Sequence, residues 1–344
     1  MQTLLGRRDS LGERAWDWIL AHKVGSAVLL AVMVSAFVLH SAYSRFAFMQ
    51  TPDLGYDTRV SNPAYGSGGP RVLFDSAHWN LHKPTTTYLP FANLIRSDGY
   101  QVEINIRRFS ADELRPYRVV VISNALGIRG VAAQLANLAG FHRAVQWDLT
   151  AFNPDERSAV REWVHAGGGL LLIADHAPAG SAAAKLAQEF GVTMTNWGVD
   201  DEKHCDPDAY SWLIFSRQNG LLLGHPVTDG RDGTEQVKTV VAFTGQSLVG
   251  PPGSAPFMKL ADSAREYPYL TSTYNEGRTA AGKAQGVALA FGQGRVVVLG
   301  EAAMLSAQVF RSGGRELRLG MEYPGCDNRQ LGLNIMHWLS GLIG

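Results

Sequence analysis

Apolar positions along this chain fall into short runs of two kinds, and their alternation predicts the architecture. RVLFD (Arg71 to Asp75), VVVI (Val119 to Ile122) and LLLIAD (Leu170 to Asp175) are continuous runs of strand length, the pattern of strands buried on both faces. QVEINI, from Gln101, alternates instead, as a strand with one exposed face does. Between these runs stand helical patterns. TTTYLPFANLIRSDG predicts a helix stopped at Gly99, and SADELRPY opens with Ser110 three residues before Glu113, the capping-box spacing. The clearest helix start is Asn153 as N-cap, with Pro154 in the first turn, Asp155 and Glu156 behind it, and Val160, Trp163 and Val164 on one face. Gly167 to Gly169 end that helix.

Strand and helix alternate on through SAAAKLAQEFG and VTMT, which argues for a doubly wound α/β fold with a mostly parallel sheet. Residues 196–236 break the rhythm with Trp, Asp, Pro and Gly and are expected to be an insertion or lid. VKTVVAFTG then reads as a strand, and GVALAFGQGRVVVLG as a hairpin turned at Gly292 to Gly294, predicting an antiparallel edge. In the closing DNRQLGLNIMHWLSGLI, Leu331, Ile335, Trp338 and Leu339 make an apolar helix face.

One stretch near the start has a different character. Val24 to Ser44 carries no charged side chain and has the length that crosses a bilayer as a helix, about 20 residues. Arg7, Arg8, Arg14 and Lys23 precede it, so the positive-inside bias keeps residues 1–23 in the cytoplasm and places the rest in the periplasm, on a single-pass inner-membrane protein. A cleaved signal peptide is the alternative, since HSAYS offers small residues at the end of the run. Residues 45–70, rich in Gly, Pro, Ser and Asn, read as a linker, with the folded domain spanning 71–344.

Composition narrows the partners. With 31 basic and 31 acidic residues the chain carries no net charge, which argues against nucleic acid. At 46% hydrophobic it can bury a large core. Two cysteines, Cys205 and Cys326, lie in loop-like surroundings and form a candidate disulfide if the domain faces an oxidising compartment.

In a parallel sheet, ligands bind beyond the carboxyl ends of the strands, so the residues just after each run matter most. There stand Asp75, His78 and His82, then Ser123 and Asn124, then Asp175 and His176, then Glu301. The candidate catalytic residues are Asp75, His78, Asp175, His176 and Glu301, with His82, Asn124 and Asn328 as binding residues. Each has a plain alternative: turn or cap chemistry for Asp75 and Asn328, a structural role for the histidines. His78 and His82 are four apart and, with Asp175 and His176, form a candidate set of divalent-metal ligands. The zincin pattern is not met, because Trp79 stands where its Glu would be. His337 reads as a core histidine, and the cluster around His204 as a solvated loop. No glycine-rich phosphate loop follows any strand, so no nucleotide cofactor is expected.

The ordered set VLFDSAHWNLH, GGGLLLIADHAP, His225-Pro226, VVVLGEAAML and NRQLGLNIMHWL resembles a group of bacterial membrane-anchored proteins with a class I glutamine amidotransferase-like, flavodoxin-like domain. The resemblance covers Arg71 to Gly344 and implies that fold, but no defined activity. A glutamine amidotransferase needs a cysteine on a strand-to-helix elbow, whereas the elbows here read ISNALG and IADHAP, so cysteine-dependent chemistry is not expected. The expectation is a hydrolase acting on a small polar ligand at the strand ends, with a non-catalytic ligand- or partner-binding module as the alternative.

Overall fold

The computed structural model describes residues 51–66, 68–138, 149–207, 209–268, 277–312 and 315–344, with positions 25, 27 and 31–35. The membrane span expected over residues 24–44 therefore lies outside the described residues, those few positions apart. Among the described residues no helix is long and apolar enough to cross a membrane. Contacts divide the chain into Met1–Ala47 and Phe48–Gly344. All the elements below belong to the second unit.

In chain order it runs β1 (Thr51–Pro52), β2 (Arg71–Asp75), α1 (Leu89–Ser97), β3 (Gln101–Asn105), α2 (Ala111–Leu114), β4 (Val119–Ser123), α3 (Gly127–Leu138), α4 (Pro154–His165), β5 (Gly169–Ile173) and α5 (Ala179–Gln188). Then follow β6 (Thr193–Asp200), β7 (Cys205–Asp206), β8 (Ala209–Ser216), α6 (Pro226–Asp229), β9 (Thr239–Phe243), β10 (Gln246–Val249), β11 (Ala255–Lys259), β12 (Arg265–Tyr267) and β13 (Arg278–Thr279). The hairpins β14 (Ala284–Phe291) with β15 (Gly294–Leu299) and β16 (Ala307–Ser312) with β17 (Arg315–Gly320) precede α7 (Asn328–Ser340).

Five strands in the spatial order β3-β2-β4-β5-β15 are mutually parallel. Numbered along the chain, this is the 2-1-3-4-5 order of a flavodoxin-like sheet, whose winding reverses between β2 and β4. The continuous apolar runs have the cause expected of them, since alternate residues serve two cores. Val72, Phe74, Val119, Val121, Leu171 and Ile173 pack with Phe91 and Leu94 of α1 and Leu331 and Ile335 of α7. Leu73, Val120, Ile122, Leu170 and Leu172 pack on the opposite face with Val160 and Val164 of α4 and Leu186 of α5.

The capping signals act as the sequence implies. Ser110 Oγ accepts from Glu113 N, and α4 starts with a complete capping box, Glu156 N donating to Asn153 Oδ1 at 2.9 Å and Asn153 N to Glu156 Oε2 at 3.0 Å. The β14–β15 hairpin turns through Gly292-Gln293, and a Cβ at Gly294 would lie 2.0 Å from the Val164 carbonyl oxygen, so only glycine fits there.

Four expectations need correction. The hairpin is not an edge: β10 and β11 pair with β14, and β6, β12 and β13 extend the sheet to eleven strands, because β14 is buried along most of its length and needs neighbours. Residues 196–200, placed in the insertion, belong to β6 of the main sheet; β7, β8 and β9 form a separate three-stranded sheet whose Leu213, Phe215, Val240 and Ala242 join the α1–α7 core. Residues 51–65 are not a free linker. β1 pairs with β16, Val60 N donates to Ser97 Oγ, Ala64 N to Asp98 Oδ1, and Tyr65 packs edge-on to Tyr100. Finally, Cys205 and Cys326 are both free thiols. Cys205 sits in β7 opposite Leu213, whereas Cys326 Sγ donates to the Gly320 carbonyl, and burial pushes its pKa up to about 11.

Candidate functional site at the strand ends

The site residues fall into two groups on either side of the winding reversal. β2 ends in Asp75, only 1% exposed. Both its oxygens lie 2.9 Å from His78 Nδ1; Asn105 Nδ2 donates to Oδ1 and Asn80 Nδ2 to Oδ2, each at 3.0 Å. The far nitrogen of the same ring, His78 Nε2, is 2.8 Å from Oε1 of Glu156. Phe109 and Phe152 cover the imidazole, with centroids 5.0 and 4.6 Å away. Burial is the largest influence on this ring and favours its neutral form, yet the two carboxylates together outweigh it and push its pKa up to about 9. His78 is thus a buried imidazolium clamped between two acids, and Glu156 is held below the usual range against its own burial, chiefly by its bond to His78.

The sequence reading missed Glu156 as a member of this group. Its signal was a capping box, and its Oε2 does cap α4; the other oxygen reaches a histidine 78 residues back in the chain, a contact only the crossover from β4 to α4 creates.

The second group lies at the ends of β4, β5 and β15. Asn124, held at a positive φ of 44°, donates from Nδ2 to Asp175 Oδ2 at 2.6 Å and accepts from Asp175 N at 2.9 Å. Asp175 Oδ1 accepts from Ala302 N at 2.6 Å, and Glu301 closes the next turn by accepting from Ala303 N and Met304 N. Burial pushes Asp175 up to about 6 despite these bonds. Burial and then the charge of Asp175 push Glu301 well above the carboxylate range, so near neutral pH the pair holds one proton, on Glu301. His176 donates from Nδ1 to the Ala177 carbonyl, and burial pushes it down to about 4, leaving it neutral.

The groups are laced together by backbone: Leu81 N donates to the Asn124 carbonyl, and Asn80 Nδ2 to that of Ser123. His82 stands beside the second group. Its ring stacks on Tyr88, whose hydroxyl donates to the Ala302 carbonyl, and its Nδ1 lies 2.7 Å from Thr87 Oγ1. Burial pushes His82 down to about 4.

Two assignments change. Asn328 is a structural tie, not a ligand contact: it is wholly buried, accepts from Val241 N and donates to the Val241 and Met304 carbonyls. The expected metal set is not assembled either. Both nitrogens of His78 are spent on Asp75 and Glu156, and among the described residues no group of three or more His, Cys, Asp or Glu side chains is placed to hold a metal ion. Trp79 and Ile128, 55% and 71% exposed, stand at the loop after β2 and the start of α3, an apolar rim beside the first group.

Fold and site together define a doubly wound, flavodoxin-like α/β protein with carboxylates and imidazoles gathered at its winding reversal. No protein-family model matches the chain, and no curated protein matches it in sequence. Among solved structures it is similar to the mmIFT52 N-terminal domain, at 13% identity and a TM-score of 0.54 over 79% of this chain and 97% of that one. A ThuA-like protein from Bacteroides uniformis (12% identity, TM-score 0.38, 83% and 95% covered) is also similar. So is a GMP synthase protein from Thermoplasma acidophilum (10% identity, TM-score 0.39, 80% and 97% covered). At these identities the first likeness shows a shared fold, and none brings an activity with it.

Proposed function

We propose that the strand-end face is the reaction site of a hydrolase for a small polar ligand, with Asp175 as the base that activates water, on a domain tethered to the inner membrane by residues 24–44. The observation that carries this reading is the Asp175–Glu301 pair. A carboxylate with its pKa near 6, half-buried beside a neutral carboxylic acid and a neutral imidazole, is tuned for proton transfer near neutral pH. Asp175 would take the proton of an attacking water, Asn124 and the Ala302 amide would hold the carboxylate in place, and Glu301 would keep its pKa high.

The test is hydrolysis of p-nitrophenyl esters, anilides and glycosides by the full chain in neutral detergent. Activity should rise with pH through about 6, and Asp175→Asn should lower kcat about 100-fold or more. No turnover across the panel would sink the hydrolase reading.

A second reading, a binding module without chemistry, has an observation in its favour: Asp75, His78 and Glu156 are spent on one another as in a structural polar core. Ligand-dependent thermal stabilisation without turnover would favour it. For the membrane placement, alkaline phosphatase fused to the C-terminus should be active in the periplasm, and an inactive fusion would refute that orientation.

A further inference from the structure

A second polar pocket lies away from the strand ends, between the strap that leads into β2 and the side of α7. It has a volume of about 200 Å³ and is lined by Arg59, Ser61, Arg231, Thr234, Arg329 and His337 among others. Most of its charges are already matched. Arg59 pairs with Asp57 at 2.7 Å, Arg231 with Glu235 at 2.5 Å, and His337 Nε2 with Asp98 at 2.7 Å.

Arg329 is the exception. Its Nη2 donates to the Arg59 carbonyl at 2.6 Å, but among the described residues it has no ion-pair partner, and its Nε is buried without a hydrogen-bond partner. An unpaired guanidinium with a buried, unspent N–H is costly, and a strong acceptor relieves the cost. A second atom in the pocket is also unspent: Nδ1 of the wholly buried His337 has no hydrogen-bond partner, the nearest carboxylate oxygen, on Glu235, being 3.9 Å away. The pocket therefore offers a cationic fork from Arg329, a further guanidinium from Arg59, hydroxyls from Ser61 and Thr234, and an imidazole nitrogen that can share a proton.

We infer that this pocket binds a phosphate group, gripped by Arg329 and Arg59, with His337 Nδ1 facing one of its oxygens. A guanidinium fork matches the geometry of a tetrahedral oxoanion, and a protonated phosphate oxygen could donate to Nδ1 whereas a carboxylate could not. The phosphate could be free in solution or part of a lipid headgroup.

The experiment titrates the full chain, in neutral detergent, calorimetrically with inorganic phosphate and separately with soluble dihexanoyl phosphatidic acid. Saturable binding of either is expected, weakened about tenfold or more in Arg329→Gln. Arg59→Gln, on the exposed strap, should weaken it less without affecting folding, which guards against a general defect of the α7 variant. Arg115→Gln, remote from the pocket, should leave it unchanged. Phosphate binding identifies a free anion, and binding of the lipid analogue alone identifies a headgroup. Failure of both ligands to bind, or wild-type affinity in Arg329→Gln, overturns the inference, and neither result bears on hydrolysis at Asp175.

Discussion

Replacing Glu156 by glutamine isolates the charge that holds His78. Glutamine also serves at the third position of a capping box, so Asn153 N keeps an acceptor and α4 keeps its start. The amide oxygen can still accept from His78 Nε2; only the negative charge goes. Carrying the His78 ring from 6.5 to about 9 is worth about 3 kcal/mol, at about 1.4 kcal/mol per tenfold change in proton affinity. Between those pH values the folded protein holds a proton that the unfolded chain has lost. The stabilisation is therefore complete below pH 6.5 and disappears as pH rises through about 9. In Glu156→Gln one of the two acids is gone, so His78 should titrate closer to 6.5 and the loss should be smaller and end earlier. At pH 6 the variant should be less stable than the parent by about 1–3 kcal/mol, and the gap should close by about pH 9. Urea unfolding followed by circular dichroism from pH 6 to 9.5, with the His78 ring titrated by NMR, measures both quantities. A parental stability that stays flat between pH 6.5 and 9, or a His78 ring that titrates near 6.5, would refute the clamp.

Other consequences are checked more simply. Asn328→Ala leaves the amide and carbonyl of Val241 without their side-chain partner in a buried position and should cost about 2–4 kcal/mol in thermal unfolding, with loss of ligand binding only in step with unfolding. Both thiols should be titratable by a disulfide reagent in the unfolded protein without prior reduction. In the folded protein Cys326, its pKa pushed up to about 11 by burial, should react more slowly than Cys205; one or no thiol after unfolding would restore the disulfide.

Much of the fold and part of the site could be read from the residues in order. The runs at Val72 to Phe74, Val119 to Ile122 and Leu170 to Ile173 are apolar at every position because successive side chains serve opposite cores, and no tertiary knowledge is needed to recognise that. Asn153-Pro154 marks a helix start, and Gly292 to Gly294 a turn, for reasons that lie within a few residues. Strand ends are where such folds place ligands, so Asp75, Asn124, Asp175 and Glu301 could be named, and the structure gathers the last three into one hydrogen-bonded or electrostatically linked group.

What local pattern could not carry was partnership. His78 and His82, four apart, suggested a shared ligand, but no helix forms there. The loop instead turns His78 towards Asp75 and Glu156, while His82 stacks on Tyr88. Glu156 has the same sequence signature as any capping glutamate, and Asn328 that of any helix cap; which surfaces these side chains met depended on crossovers spanning 78 and 87 residues. Likewise, Thr51 to Tyr65 looks like a tether because its apolar residues are too sparse for a period, yet strand pairing and the pockets beside α1 and α7 capture it. The sequence determined, by itself, which segments become strands and helices and which strand ends carry chemistry, since those follow from side-chain period and backbone capping. Only the tertiary structure decided which charges neutralise one another and which stay free to react, because burial and distance between remote residues set every one of those protonation states.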